Sequence, residues 1–412
     1  MYPDFNRIVG IFFSIMLIGI LVSIIAFLLT DGKSFDNMLF YRWDYFMDYF
    51  NSTYHSTRNP YSLPFKSIYP ALTTAGYFLI SFVLEELHGP FLTSLDVRSS
   101  FAGVTSYLLL TVVALLILYK IFGKKKEISF KETLFFYVFI LASFPMVWAI
   151  DRGNSVLISV IFSLLFIAGH DSESKKIRCA SYICLGIATG IKIFPAFFGV
   201  LVLRNYVQSK RIEDLKEIIL CVFIVVVVFL TPFILFEGSF FAMINNAFGY
   251  RGELSPIGGV DVSSLIQTTA YLFGYENYLS LSGEGTAISL VLMFVIVLCL
   301  LLNKKIEKWE QIFLIAGIQA LCAGIGHPYV LLYMLIPAWY FINSNPKNNT
   351  KNLILAILFA LILMLFPGPS TGYELLSYTK GMALLTSVIL ILVINTTNLF
   401  DHNTNDEKTK SK

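Results

Sequence analysis

The chain has 412 residues, 56% of them hydrophobic and only 14% charged, with 38 phenylalanines and a mean hydropathy of +0.72. A soluble chain of this length would expose too much apolar surface to water, so the composition excludes a soluble enzyme and indicates an all-α polytopic membrane protein. The net charge of +3 is small and the basic residues cluster between apolar runs, which points to membrane topology rather than nucleic-acid binding.

The first apolar run, residues 8–30, is too long for the hydrophobic region of a signal peptide and has no convincing small-residue cleavage site. It is expected to remain as the first span. Further runs lie at 68–83, 101–121, 133–150, 156–168, 180–203 and 218–236, then at 287–302, 312–325, 329–341, 353–366 and 382–394. They predict a bundle of about ten to twelve transmembrane helices over residues 1–400, followed by a polar, disordered cytoplasmic tail at 401–412. Cys179, Cys184, Cys221, Cys299 and Cys322 fall in or beside these runs without metal-ligand spacing and read as packing residues.

Lysine and arginine clusters at 124–131, 175–178, 204–216, 304–308, 347–351 and 408–412 belong in the cytoplasm by the positive-inside rule, and both termini go with them. The long irregular segments 31–67 and 237–285, and the shorter 367–381, then face outward. If every run crosses once, the clusters at 124–131 and 175–178 land outside. They land inside if the run at 68–83 only dips into the membrane and the run at 180–203 turns back on itself. The second arrangement is preferred, and it sends Asp48, Arg152, Lys192 and His327 to the outer face.

Lys192 lies within the run 180–203, and a cation at the centre of a membrane helix costs about 2.5–3.5 kcal/mol. Such a residue marks a cavity, a counter-ion or a bound substrate, the alternative being a lysine that snorkels from a helix end. Pro195 follows within a turn and cannot donate to the helical ladder, so the helix is expected to break where the charge sits.

In the segment 31–67, Asp44 and Asp48 stand four apart among aromatics, a spacing that puts both on one face of a short helix. Apolar surroundings raise a carboxylate pKa and a nearby cation lowers it, the balance a general base needs; the alternative is a solvated loop pair. Asn59-Pro60-Tyr61 and Tyr69-Pro70 add two proline-fixed turns and a helix start. Asp151-Arg152-Gly153-Asn154 reads either as a tight turn, with Arg152 paired to Asp151 and Asn154 capping the next helix, or as a group that binds anion and sugar. His327, in Gly326-His327-Pro328-Tyr329, sits at an outer turn, as a structural residue or a hydrogen-bonding one. The glycine-rich segment 237–285, with Asn246, Tyr250, Arg251, Asp261, Ser263 and Ser264, reads as an acceptor-binding loop.

This order of motifs, an aromatic-flanked Asp48, then Pro60-Tyr61, Tyr69-Pro70, Arg152-Gly153-Asn154 and Gly186-x5-Lys192-x2-Pro195, resembles the polyprenyl-phosphate-sugar-dependent glycosyltransferases of the GT-C class, especially family 87. The motifs cover residues 46–203; beyond them the likeness is one of hydropathy and of His327. The chain departs from the family at Tyr69-Pro70-Ala71, where two prolines are common, and in offering both Asp44 and Asp48. The resemblance implies an Asp base, Asp48 or Asp44, acting on an acceptor hydroxyl, with inverting transfer of a sugar, a hexose such as mannose, from a polyprenyl-phosphate donor to an extracytoplasmic glycan or glycolipid. Lys192, Arg152 and His327 would bind the donor phosphate, and Asn154, Tyr69, Arg251 and Ser263 the acceptor or sugar. The chain shows no Rossmann-like domain, phosphate loop or Asp-x-Asp cluster, so no nucleotide cofactor is expected and a divalent metal is optional. The rival reading is a transporter or flippase for a lipid-linked glycan, which suits an intramembrane lysine on a broken helix but predicts inverted repeats that the sequence lacks.

Overall fold

Backbone groups in hydrocarbon have no water to bind, and a helix satisfies them within one segment. The computed structural model describes residues 7–35, 45–62, 65–122, 137–236, 239–253, 259–322, 326–367 and 373–410. Among these residues the chain is helical, with no strand beyond an isolated bridge between Ser143 and Met364. It is an all-α polytopic membrane protein.

In chain order the helices are α1 (Arg7–Leu29), α2 (Met47–Ser56), α3 (Ala71–His88), α4 (Ser94–Ser99), α5 (Phe101–Phe122), α6 (Phe144–Arg152), α7 (Val156–Gly169), α8 (Lys175–Ile191) and α9 (Val200–Ser209). There follow α10 (Ile212–Leu230), α11 (Ser239–Glu253), α12 (Val262–Leu272), α13 (Ser282–Leu302), α14 (Lys308–Leu321), α15 (Leu335–Asn343), α16 (Thr350–Leu363) and α17 (Tyr373–Lys410). Among the described residues five stretches are long and apolar enough to cross a bilayer: Arg7–Leu29, Phe101–Phe122, Ile212–Leu235, Tyr278–Leu302 and Leu375–Thr397. The first four form the periphery, with side chains such as Leu21, Leu28, Leu109, Phe223 and Phe294 exposed, whereas half of the last is buried. Helix α14 is the opposite case: apart from Lys308 and Gln311 every residue in it is buried, and a helix covered on all sides lies at the centre.

The run at 180–203 is broken and turns back. Helix α8 ends at Ile191, Lys192 is extended, a 3₁₀ turn covers Phe194–Gly199, and α9 returns. Arg178 at the start of α8 and Ser209 at the end of α9 line one polar cavity of about 660 Å³, so both ends of this hairpin lie at the same, lysine-rich end of the bundle. Helix α3 does not lead away from the outer segment either. It packs along α2, and its far end is tied back by the Arg58–Glu85 ion pair at 3.0 Å and the Tyr54 hydroxyl on the Leu92 carbonyl. The hairpin keeps the basic clusters at its two ends together, while the cluster at 124–131 lies outside the described residues.

Three expectations about irregular segments need correction. Segments 31–67 and 237–285 carry α2, α11 and α12. The stretch before residue 382 is already α17, which brings a further buried cation, Lys380, into the bundle. Its ammonium donates to the carbonyls of Leu361, Ile362 and Met364 at 3.1, 3.2 and 2.7 Å, the exposed acceptors at the end of α16, so it is a helix cap supplied by a neighbour. The tail at 401–412 was expected to be irregular, yet α17 continues to Lys410, because no glycine or proline follows Gly381 to stop it.

Candidate active site

The site is assembled where the turn between α6 and α7 meets the start of α2. Gly153 ends α6 in the left-handed conformation, at φ 66°, and a Cβ there would lie 2.9 Å from both Cα and O of Phe46. Only glycine allows this approach. Phe46 is itself left-handed, at φ 55°, and donates its N–H to the Asp151 carbonyl at 2.7 Å. The corner delivers Asp48, in the first turn of α2, to Arg152 and Asn154. Helix α2 begins at Met47, and Asp44, expected to share a helix face with Asp48, lies outside the described residues.

Arg152 Nη2 is 3.1 Å from Asp48 Oδ1, and Asn154 Nδ2 donates to Asp48 Oδ2 at 2.6 Å. Residues 151–154 thus form the expected tight turn, except that Arg152 pairs across the fold with Asp48. Asn154 both caps and binds, its Oδ1 accepting the Val156 N–H at 3.0 Å. Although 18% of the Asp48 side chain remains exposed, the surrounding protein desolvates it and pushes its carboxyl above the ordinary range; the Asn154 hydrogen bond and the positive charge of Lys192 work the other way.

Lys192 reaches the same place from the break in α8. It is 6% exposed, which rules out the snorkelling reading, and its Nζ stands 4.1 Å from the centre of the Tyr69 ring and 5.1 Å from that of Tyr329. The Tyr69 hydroxyl is 3.4 Å from Asn154 Nδ2. His327 packs its ring on Tyr329 with centroids 5.3 Å apart. Desolvation first, then the charges of Arg152 and Lys192, hold its imidazole down to about 4, so it is neutral at physiological pH.

Asp48, Arg152, Asn154, Tyr69, Lys192 and His327 thus converge. Ser263, at the start of α12, contacts the start of α13, its hydroxyl 3.4 Å from the Ser282 carbonyl and its backbone against Gly285, while Val260 just before it donates its N–H to the Gly326 carbonyl at 2.7 Å, beside His327. Arg251 is in α11, but its side chain lies outside the described residues. Among the described residues no group of three His, Cys, Asp or Glu side chains is placed to hold a metal ion. Tyr329 was not foreseen; its signal was its place two residues after His327, at the start of the next apolar run. Two cations and a neutral imidazole gathered around a desolvated carboxylate form a site with one base and an excess of positive charge, suited to an anionic substrate.

A membrane-embedded helical bundle with such a polar cluster at one end is an architecture suited to a membrane enzyme. The family model of glycosyltransferase family 87 matches residues 90–367, more than half of the chain, and the chain belongs to that family. It is a membrane glycosyltransferase. The match includes Arg152, Asn154, Lys192, His327 and Tyr329 and leaves Asp48 and Tyr69 outside it. No curated protein matches the chain in sequence.

Proposed function

We propose that the chain transfers a hexose such as mannose, with inversion, from a polyprenyl phosphate to a hydroxyl of a glycan or glycolipid on the outer side of the membrane. The observation that carries this reading is the meeting of Asp48 with Arg152, Asn154 and Lys192 at one end of the bundle. The acceptor oxygen attacks the anomeric carbon as its proton passes to Asp48, and the bond from that carbon to the phosphate oxygen breaks with the electron pair leaving on the lipid phosphate. A carboxylate whose affinity for protons is raised by burial is the stronger base. Arg152 and Lys192 stabilise the charge that grows on the phosphate, and cations fixed in a desolvated site do so better than water. His327, neutral, offers the phosphate a hydrogen bond rather than a charge.

Fixed geometry at Asp48 favours transfer over the transporter alternative, because passage of an anion needs no buried carboxylate in its path. The test supplies purified protein in membrane extract with a panel of radiolabelled prenyl-phosphate sugars. Label is expected to move to an acceptor with release of prenyl phosphate. Translocation of label in proteoliposomes without cleavage of the sugar–phosphate bond would replace the enzyme reading by the transporter.

A further inference from the structure

A buried ammonium is usually held by a carboxylate, which cancels its charge. Lys192 is held in part by rings. Tyr69 and Tyr329 both lie within the distance at which an aromatic face attracts a cation, at 4.1 and 5.1 Å. Asp48 from α2, Arg152 from α6 and His327 ahead of Pro328 are the charged and titratable groups that share this space. Because the Asp48 carboxylate is already engaged by Arg152 and Asn154, rings beside Lys192 stabilise the ammonium while leaving its charge available to an incoming anion.

The backbone beneath the lysine is held by the same segment that supplies Tyr69. Pro195 lacks the N–H that a continuous helix would aim at the carbonyl four residues earlier, that of Ile191. The Thr73 hydroxyl takes its place, donating to the Ile191 carbonyl at 2.8 Å. Leu72 packs over Gly190 so closely that a Cβ there would be 2.8 Å from Leu72 Cδ2. Residues 69–73 therefore grip both the cation and the broken end of α8.

Resting on the reading of Lys192 as a donor-phosphate ligand, we propose that Tyr69 and Tyr329 are positioning residues, an aromatic cage that aims the Lys192 ammonium at the lipid phosphate, with Thr73 fixing the helix end on which the lysine stands. This moves Tyr69 from acceptor binding to phosphate binding and adds Tyr329 and Thr73 to the site.

The experiment measures equilibrium binding of a short-chain prenyl phosphate to the full-length protein in detergent, with thermal unfolding as the control for folding. Tyr69→Leu and Tyr329→Leu are each expected to weaken binding about three- to thirtyfold, the range of a desolvated cation–ring contact. Tyr69→Phe and Tyr329→Phe, which keep the ring, should bind like the unaltered protein. In a Lys192→Ala background the leucine substitutions should have no further effect. Leucine variants that weaken binding equally with and without Lys192, or phenylalanine variants as weak as the leucine ones, would overturn the cage. If Lys192→Ala binds normally, the reading of Lys192 as a phosphate ligand is what fails; if Lys192→Ala is weak and the leucine variants are not, the cage alone fails.

Discussion

Asn154 holds Asp48 with one end of its amide and the start of α7 with the other: Nδ2 donates to Asp48 Oδ2 at 2.6 Å while Oδ1 accepts the Val156 N–H at 3.0 Å. The candidate base is thereby tied to a helix terminus, and its orientation is set by the fold rather than by solvent. The same bond opposes the effect of burial on the Asp48 carboxyl.

A pH dependence follows from this. A base works ionised, so turnover falls as pH drops through the carboxyl's pKa, which already lies above the ordinary carboxylate range. Asn154→Ala removes an interaction that favours the ionised form, so the pKa rises further and the acid limb of the turnover profile moves to higher pH. A limb that stays in place or moves to lower pH would show that another group controls it. The variant also loses a helix cap, with a stability cost of about 1 kcal/mol.

Asp48→Asn keeps the shape and cannot take the acceptor proton. General base catalysis contributes about 10²–10⁴ in rate, so turnover should fall at least about a hundredfold. Binding of a prenyl phosphate should persist, because Arg152 and Lys192 carry it. Asp44→Asn should do much less. If the two results are exchanged, the base is Asp44 and the chemistry is unchanged.

Much of this site was legible in the sequence because its members carry local signals. Lys192 is a charge in an apolar run, and Pro195 announces the break beneath it. The aromatic-flanked Asp48 and the Arg152-Gly153-Asn154 turn stand out in the same way. What the sequence withheld is pairing between distant segments: that Arg152 turns to Asp48, and that Thr73 serves the Ile191 carbonyl, are decided by packing 104 and 118 residues apart. Lys380 escaped for a different reason, since its apolar run begins at residue 382 by hydropathy while the helix already runs from Tyr373. Helix α14 looked like one more span, and only its burial on every side reveals it as the centre.

Orientation is checked by thiol labelling of intact cells in a cysteine-free background. Ser52 is buried and a Cβ on Gly259 would meet Ser264 Oγ at 2.3 Å, so neither position in the outer segments can carry the reporter. Asn277, exposed at the site end between α12 and α13, and Asn348, exposed at the lysine-rich end, serve instead. Asn277→Cys should react with an impermeant reagent from outside and Asn348→Cys only after permeabilisation. The reverse pattern would put the site on the cytoplasmic side.

Gly153 gives the sharpest test of how the site is held together. Its left-handed backbone costs a substituted residue about 1–2 kcal/mol, and an added Cβ would also press on Phe46 Cα and O at 2.9 Å. Gly153→Ala must therefore push α2 away from the turn, and with it Asp48 away from Arg152 and Asn154. Gly89 is the control: it too has a positive φ, 87°, but nothing lies within 4 Å of the Cβ it would gain. Both variants should unfold at lower temperature, since both carry backbone strain. Only Gly153→Ala should also lose turnover by tenfold or more, as a misplacement of about 1 Å at a reacting group costs on the order of a hundredfold. Equal loss of activity in the two variants would mean that strain alone is responsible and that the contact between Gly153 and Phe46 does not set the position of Asp48.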